Sequence, residues 1–174
     1  ADSYVVSAVA ASPEAPIGQF SCVVLPADTE GIKWGAAPPG LPAGAKATLL
    51  QGNPNAAGRY VIRLQFPSNY KIPFHAHPNA MDVTVVSGTL YVASTQTYDK
   101  KKAFAIKPGD FYHLPPQVSQ LLLTKGETVV EIHGDGPYEL KYANAADDPL
   151  KGAAAPAYSF TESIKDTELI TADP

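Results

Sequence analysis

The sequence has little sulfur and no long apolar run. Among its 174 residues there is one cysteine, Cys22, and one methionine, Met81. A single cysteine excludes an intrachain disulfide, and inside the apolar run Cys22–Leu25 it is typical of a small packed hydrophobe. No stretch approaches the roughly eighteen consecutive apolar residues that a membrane helix requires. The sequence therefore predicts no disulfide framework and no membrane partner.

Concentrated positive charge is also absent. Lys and Arg together number 13 against 17 Asp and Glu, which gives a net charge of −4. The basic run Lys100–Lys102 lies beside a predicted turn and is too short to form the extended basic face that nucleic acid binds. We therefore predict no nucleic-acid partner. A serine triad motif, a phosphate-cradling glycine loop and a CxxC motif are missing as well, so none of these offers a mechanism.

Proline and glycine, in contrast, are frequent. The 17 prolines and 13 glycines separate short segments rich in Val, Ile, Thr, Leu and Tyr, which is typical of an all-β sandwich or barrel. Nine strands are predicted, at Ala47–Leu50, Tyr60–Phe66, Lys71–His77, Met81–Ser87, Thr89–Ser94, Phe104–Ile106, Asp110–Leu114, Ser119–Thr124 and Thr128–His133. Turns at Ser87–Gly88 and Lys107–Asp110 are predicted as hairpins, because glycine tolerates the positive φ of tight hairpin turns.

The length suits one domain over residues 1–174. The prediction divides it into an N-terminal arm, a barrel core and a C-terminal tail, at residues 1–46, 47–143 and 144–174. The arm contains a strand-like run, Gln19–Leu25, and the tail contains a short helix or strand near Phe160–Ile170. Because these extensions are too long to pack wholly on the core, we predict a homodimer or a higher homo-oligomer.

The chain begins with Ala1 rather than Met. Such a start is typical of a mature end left by a signal peptidase that cuts after small residues, or of a trimmed chain. We therefore predict a periplasmic or secreted protein, with a cytoplasmic location as the alternative.

Two histidines stand out in the stretch PFHAHPNAM, at His75 and His77. In an extended segment, side chains at i and i+2 leave the same face, so the two imidazoles point together and can chelate one metal ion. The competing interpretation is a proline-bounded loop that carries two solvated histidines. The pair alone is a weak signal.

The spacing around this pair resembles the two-part signature of the cupin superfamily. His77 is followed eleven positions later by Gly88, and then by Pro108-Gly109-Asp110 and Pro115. The segments VTVVSGTLYV and KGETVVEIHGDGPY are also similar to a group of single-domain, often exported bacterial cupins. The resemblance implies a jelly-roll barrel of two antiparallel sheets, in which three His and one Glu converge on a divalent metal.

Two positions depart from that pattern. The position of the Glu holds Met81, and the position of the third His holds Gln120, eleven residues after Gly109. Asp82 is a poor substitute, because strand alternation places it on the opposite face from Met81 unless a bulge shifts the register. We therefore predict a weakened or vestigial metal site of His75, His77, Met81 and Gln120. Zn, Cu, Ni, Fe or Mn are the candidate ions, a thioether ligand favours Cu(I), and a metal-free site is the alternative.

Two further histidines are left open by the sequence. His113 is a third imidazole of the site if the odd positions of its strand face inwards, and a surface residue if Tyr112 and Leu114 do. His133 shares a strand face with Glu131, which is compatible with a buried pair, a metal-free acid–base dyad or a hydrogen-bonded rim residue.

Three functions follow from these features. One is an enzyme that acts on a small organic molecule, a lyase, isomerase or dioxygenase in which His75 and His77 hold a metal or act as acid and base. The second is a non-catalytic small-molecule or metal-binding module that has lost the full cupin ligand set, which Met81 and Gln120 favour. The third is a storage or interaction protein built around the terminal arms.

Overall fold

The computed structural model describes residues 32–94 and 103–162. These ranges contain eleven strands: β1 (Gly35–Ala36), β2 (Lys46–Gly52), β3 (Gly58–Phe66), β4 (Lys71–Ala76), β5 (Met81–Ser87), β6 (Leu90–Ala93), β7 (Phe104–Ile106), β8 (Phe111–Leu114), β9 (Gln120–Thr124), β10 (Thr128–Gly136) and β11 (Lys141–Tyr142). The nine predicted strands correspond to β2–β10 and are confirmed. The two-residue strands β1 and β11 were not predicted, because two residues carry no detectable period.

The strands form two antiparallel sheets. The first has the order β1-β2-β3-β10-β5-β8, and the second has the order β11-β4-β9-β6-β7. This is the predicted all-β jelly-roll barrel. Within the described ranges the only helical segment is a short 3-10 helix, Ala145–Asp147, and no helix there has the length and apolar character to cross a bilayer.

The barrel interior is filled by one face of each sheet. In β5, Met81, Val83 and Val85 are buried, whereas Asp82 and Thr84 between them are partly exposed. Such alternation places every second side chain in the core. The same core contains the fully buried residues Tyr60, Ile62, Leu64, Phe66, Ile72 and Leu90.

The prediction that the two turns at Gly88 and Gly109 form hairpins is wrong. Gly88 and Gly109 do have positive φ values, 76° and 86°, so each is the turn residue that was expected. However, β5 and β8 belong to the first sheet, whereas β6 and β7 belong to the second. The turn after Ser87 and the turn at Lys107–Asp110 therefore carry the chain from one sheet to the other, as a jelly roll requires.

Parts of both predicted extensions pack on the barrel. In the arm, β1 pairs with β2. In the tail, Tyr158 is 6% exposed, and Leu49 forms an isolated parallel bridge with Glu162. The strand-like run Gln19–Leu25 and the residues after Glu162 lie outside the described ranges, so the prediction of structure there stays a prediction.

Candidate metal centre

His75 and His77 lie side by side inside the barrel. His75 is in β4, where it is paired with Gln120 on one side and with Tyr142 on the other, and His77 follows the strand. They are 1% and 4% exposed, and their ring centroids are 5.2 Å apart with the planes at 88°. The interpretation of two solvated loop histidines is therefore wrong.

Backbone hydrogen bonds determine which ring nitrogen is free. Nδ1 of His75 lies 2.7 Å from the carbonyl oxygen of Pro73, and Nδ1 of His77 lies 2.7 Å from the carbonyl oxygen of Glu139. A carbonyl oxygen only accepts, so each Nδ1 donates and each Nε2 keeps its lone pair. This is the usual arrangement of metal-binding histidines, whose second nitrogen is held by a backbone carbonyl or a carboxylate.

Burial keeps both imidazoles neutral. Removal from water lowers the pKa of His75 to about 4, although its hydrogen bond to Pro73 acts in the opposite direction. Burial, and then the neighbouring His75, lower the pKa of His77 to about 3. At pH 7 both rings are therefore ready to donate a lone pair without first losing a proton.

A small cavity adjoins the pair. Its volume is about 20 Å³, which is room for one water-sized occupant. The lining residues are Leu41, Leu64, Phe66, Ile72, His75, His77, Met81, Val83, Leu90, Tyr112, Gln120, Leu122, Val130, Ile132 and Tyr138. Met81 and Gln120, the two departures from the cupin pattern, are thus in the same wall as the histidines.

Two tyrosines also reach this cavity. The hydroxyl of Tyr112 donates to Oε1 of Gln120 at 3.4 Å, and burial raises the pKa of Tyr112 above its ordinary value. The ring of Tyr138 lies 5.5 Å from that of His77. Alternation had left two orientations open for Tyr112, and the structure shows that its side chain faces the cavity. Tyr138 was not predicted as a site residue, because it lies in the segment after β10 and had no periodic signal.

His113 does not belong to this site. Its side chain is 54% exposed on the outer face of the first sheet, where Nδ1 lies 2.7 Å from Oδ1 of Asp82. The register of β8 against β5 pairs Tyr112 with Val83 and His113 with Asp82, so the even positions of β8 face inwards. The hypothesis of His113 as a third ligand is therefore wrong, and Asp82 points outwards as alternation predicted.

His133 is part of a second outer-face group. Its Nε2 lies 2.7 Å from Oε1 of Glu131, and its Nδ1 lies 3.3 Å from Arg59. Arg63 donates to Glu131 at 2.9 Å. Burial raises the pKa of Glu131, but the hydrogen bonds from His133 and Arg63 outweigh it and hold that pKa below its ordinary value. His133 is therefore a partly exposed member of a hydrogen-bond network around the Arg63–Glu131 ion pair, and it is not among the residues that line the cavity.

Comparison with known proteins identifies the family. Residues 4–141 match the family described as "Domain of unknown function (DUF4437)". The chain belongs to this family. A comparison with curated protein sequences gave no match.

Several solved structures are similar in fold to this chain. The polyketide cyclase RemF from Streptomyces resistomycificus is 14% identical, with a TM-score of 0.57 over 73% of this chain and 90% of that one. The DMSP lyase DddQ from Ruegeria pomeroyi is 14% identical, with a TM-score of 0.51 over 64% and 61%. A cupin 2 domain-containing protein from Halorhodospira halophila is 17% identical, with a TM-score of 0.49 over 63% and 81%. At these identities the similarity is one of fold, and it agrees with the jelly-roll barrel that the resemblance to cupins implied.

The residues present can hold a metal, although with few ligands. Within residues 32–94 and 103–162 no group of three or more His, Cys, Asp or Glu is placed to bind one ion. The chain instead offers two imidazole nitrogens, a thioether and an amide around one small space. Imidazole suits several transition metals, and a thioether suits the softer ones. The site is therefore chemically compatible with a transition metal, without the carboxylate that a complete cupin set supplies.

Proposed function

We propose that the protein binds one transition-metal ion through Nε2 of His75 and Nε2 of His77. The observation that carries the proposal is the pair of Nδ1-to-carbonyl hydrogen bonds, which leaves an Nε2 lone pair available on each of two side chains that line one cavity with room for one small occupant. A bound metal would supply a Lewis acid or a redox centre. Because the surrounding side chains carry no negative charge, we expect weaker binding than by a complete cupin ligand set.

The low basicity of the two imidazoles favours metal binding over acid–base chemistry. An efficient general base has a pKa near the working pH, whereas the pKa values of His75 and His77 are lowered to about 4 and about 3. Such weakly basic rings remain useful as metal ligands, because binding requires the unprotonated form.

The small size of the cavity favours a metal-binding module over an enzyme that acts on an organic substrate. A drug-sized organic ligand occupies a pocket of roughly 300–1,000 Å³, far more than the cavity of about 20 Å³. An organic substrate would have to displace side chains or bind at the cavity mouth. A single ion needs neither change.

Small-molecule chemistry is the second candidate function. It is supported by Tyr138, whose hydroxyl has no hydrogen-bond partner in the part of the chain that the structure describes and whose ring contacts His77. Such a group can donate to a carbonyl or carboxylate oxygen of a substrate. Two proteins of similar fold are a polyketide cyclase and a DMSP lyase, so the class proposed is a lyase, isomerase or dioxygenase.

Metal content tests the first candidate. The protein is purified without chelator and its metal is quantified in the native chain, in His75→Ala and in the matched surface variant His113→Ala. We expect bound metal in the native chain and in His113→Ala, and its loss in His75→Ala. His77→Gln serves as a second site variant, and circular dichroism verifies that each variant is folded. Equal metal in the site variants and in His113→Ala would overturn the proposal.

Native mass spectrometry tests the second candidate. A retained organic molecule in the native chain that is lost in Tyr138→Phe would support it, and a chain that carries metal alone would contradict it. We also propose that the protein is exported and that it forms a homo-oligomer, and the long extensions support the second of these proposals. Cell fractionation and light scattering test these two points.

A further inference from the structure

The cavity is electrically neutral and contains a sulfur atom. None of the described residues that line it is a carboxylate. The acidic neighbours on adjacent strand positions, Asp82 and Glu131, bond to groups on the outer face of the sheet. Met81, the single methionine of the chain, is 5% exposed in the cavity wall. An ion at the histidine pair would therefore meet neutral nitrogen, neutral sulfur and an amide.

We propose that this site is selective for a soft monovalent ion, Cu(I), with Met81 as a ligand beside His75 and His77. The inference rests on the proposed function, because it requires that the histidine pair binds a metal. It goes further by assigning the charge of the ion and a role to Met81.

Charge is the first reason for this selectivity. The free energy needed to transfer an ion from water to a low-dielectric interior grows with the square of its charge, so a divalent ion costs about four times as much as a monovalent ion of similar size. Metal sites for divalent ions usually offset this with anionic ligands. The neutral lining here offers no such compensation, and this penalises Zn(II), Ni(II) or Mn(II) far more than Cu(I).

Ligand softness is the second reason. Thioether sulfur is a soft ligand that selects Cu(I), whereas carboxylate and water suit the harder ions. The remaining walls of the cavity are mostly aliphatic and aromatic, and its volume of about 20 Å³ holds one small occupant rather than an ion with a hydration shell. Divalent ions that keep several waters are excluded by the same lack of space.

Competition titrations test the selectivity. Cu(I) is added anaerobically in the presence of a chromogenic Cu(I) chelator, Ag(I) is added as a redox-inert equivalent, and Zn(II) and Ni(II) are added in separate titrations. Because Cys22 is itself a soft ligand, every titration uses the full chain with Cys22→Ser. We expect Cu(I) to bind at least about 100-fold more tightly than Zn(II), and Met81→Leu to weaken Cu(I) about tenfold or more without changing Zn(II) binding.

The single methionine permits a direct structural readout. With ¹³C-methyl-labelled methionine, the resonance of Met81 is assigned by its absence in Met81→Leu. Binding through sulfur should shift this resonance on addition of one equivalent of Ag(I), while Zn(II) should leave it nearly unchanged. The shift should vanish in His75→Ala and persist in His113→Ala.

The outcomes separate the two proposals. If the histidine variants abolish all metal binding but Cu(I) is no tighter than Zn(II), or if Met81→Leu leaves Cu(I) binding unchanged, the Cu(I) inference is overturned and the proposed function stands. If neither Cu(I), Ag(I), Zn(II) nor Ni(II) binding depends on His75 and His77, the proposed function fails and the inference fails with it.

Discussion

At the scale of single residues, the two interior histidines have fixed ring orientations, but no described side chain that lines their cavity carries a negative charge. His75 and His77 each donate Nδ1–H to a backbone carbonyl, so their rings are held even without a ligand. Met81 and Gln120, which stand where the cupin signature has a carboxylate and a third imidazole, line the same cavity. The result is a preorganised pair of neutral donors whose protonation and metal binding can be tested separately.

The stability of the metal-free protein should fall in mild acid. The pKa values of His75 and His77 are lowered in the folded state from 6.5 to about 4 and about 3, so below pH 6.5 the unfolded chain binds more protons than the folded one. The contribution of the two neutral histidines to the free energy of unfolding is complete above pH 6.5 and is lost as the pH falls towards 4. Each histidine adds a slope of up to about 1.4 kcal/mol per pH unit.

Urea denaturation with chelator present, at pH 7.5, 6.5, 5.5 and 4.5, measures this slope. The double variant His75→Gln/His77→Gln should have a much shallower slope, because its amides do not titrate. Identical slopes in the native protein and the double variant would contradict the assignment.

Restoring the missing ligands should strengthen the binding of divalent ions. In Met81→Glu/Gln120→His, a carboxylate and a third imidazole face the cavity, so the charge of the ion is partly neutralised. We expect affinity for Ni(II), Zn(II) or Mn(II) to rise by about 100-fold or more, as measured by isothermal titration calorimetry.

The matched control for this change is Asp82→Glu, since Asp82 is the next residue in the strand but lies on the outer face. It should leave the affinity unaltered. A native protein that already binds these ions tightly, with no gain in the double variant, would show that Met81 and Gln120 do not stand in the place of lost ligands.

At the scale of secondary-structure elements, the turns between the sheets decide how the strands assemble. Gly88 joins β5 to β6 and Gly109 lies between β7 and β8, and both have positive φ. Their surroundings differ. A Cβ at Gly88 would lie 2.3 Å from the carbonyl oxygen of Glu127 and 2.8 Å from Cα of Thr128, whereas a Cβ at Gly109 would meet no atom within 4 Å.

Alanine substitutions at Gly88 and Gly109 therefore allow a matched comparison. Gly109→Ala introduces only the left-handed backbone conformation, and we expect a loss of about 1 kcal/mol. Gly88→Ala adds a collision with backbone atoms, and we expect a further loss of at least about 2 kcal/mol. Chemical denaturation of both variants measures the difference, and equal losses would show that the close approach at Gly88 relaxes without cost.

At the scale of the whole molecule, the tail is attached to the open edge of the first sheet. Leu49 donates its backbone N–H to the carbonyl of Thr161 at 2.8 Å. The hydroxyl of Tyr158 donates to the carbonyl of Ala36 at 2.9 Å, and its backbone exchanges hydrogen bonds with Asn55. Part of the predicted tail therefore covers the barrel of its own chain.

Tyr158 should contribute measurably to this attachment. Tyr158→Phe removes one hydrogen bond and should reduce the free energy of unfolding by about 1 kcal/mol, whereas Tyr158→Ala also empties a buried site and should cost about 3–5 kcal/mol. Ser159→Ala, at the exposed neighbouring position, should have little effect. Thermal and urea unfolding measure all three, and a native-like Tyr158→Ala would show that the tail does not stabilise the barrel.

Assembly stays a prediction at this scale. We expect a dimer or a larger homo-oligomer, since the extensions are long and since Phe104 and Phe111, on the edge strands β7 and β8, are 68% and 60% exposed. Light scattering at micromolar concentration measures the mass, and Phe104→Lys/Phe111→Lys tests whether these edges take part. A native protein with only monomer mass would contradict the prediction.

The local sequence pattern was sufficient to predict the strands and the strand face on which several key residues lie. Alternation alone placed His75 with His77, and Met81 opposite Asp82, because side-chain direction in a strand has a period of two. The resemblance to the cupin signature, followed position by position, identified Met81 and Gln120 as the departures from its ligand set. These properties depend on residues close in sequence, so the sequence by itself determined them.

Other properties depend on which strands become neighbours. A glycine at 88 or 109 permits a turn, but only the sheet order shows that each turn crosses between sheets. The exclusion of His113 follows from its pairing with Asp82, and the entry of Tyr138 into the site follows from the path of the chain after β10. Tertiary structure decided these points, because long-range pairing and packing set them and a local sequence pattern has no information about either.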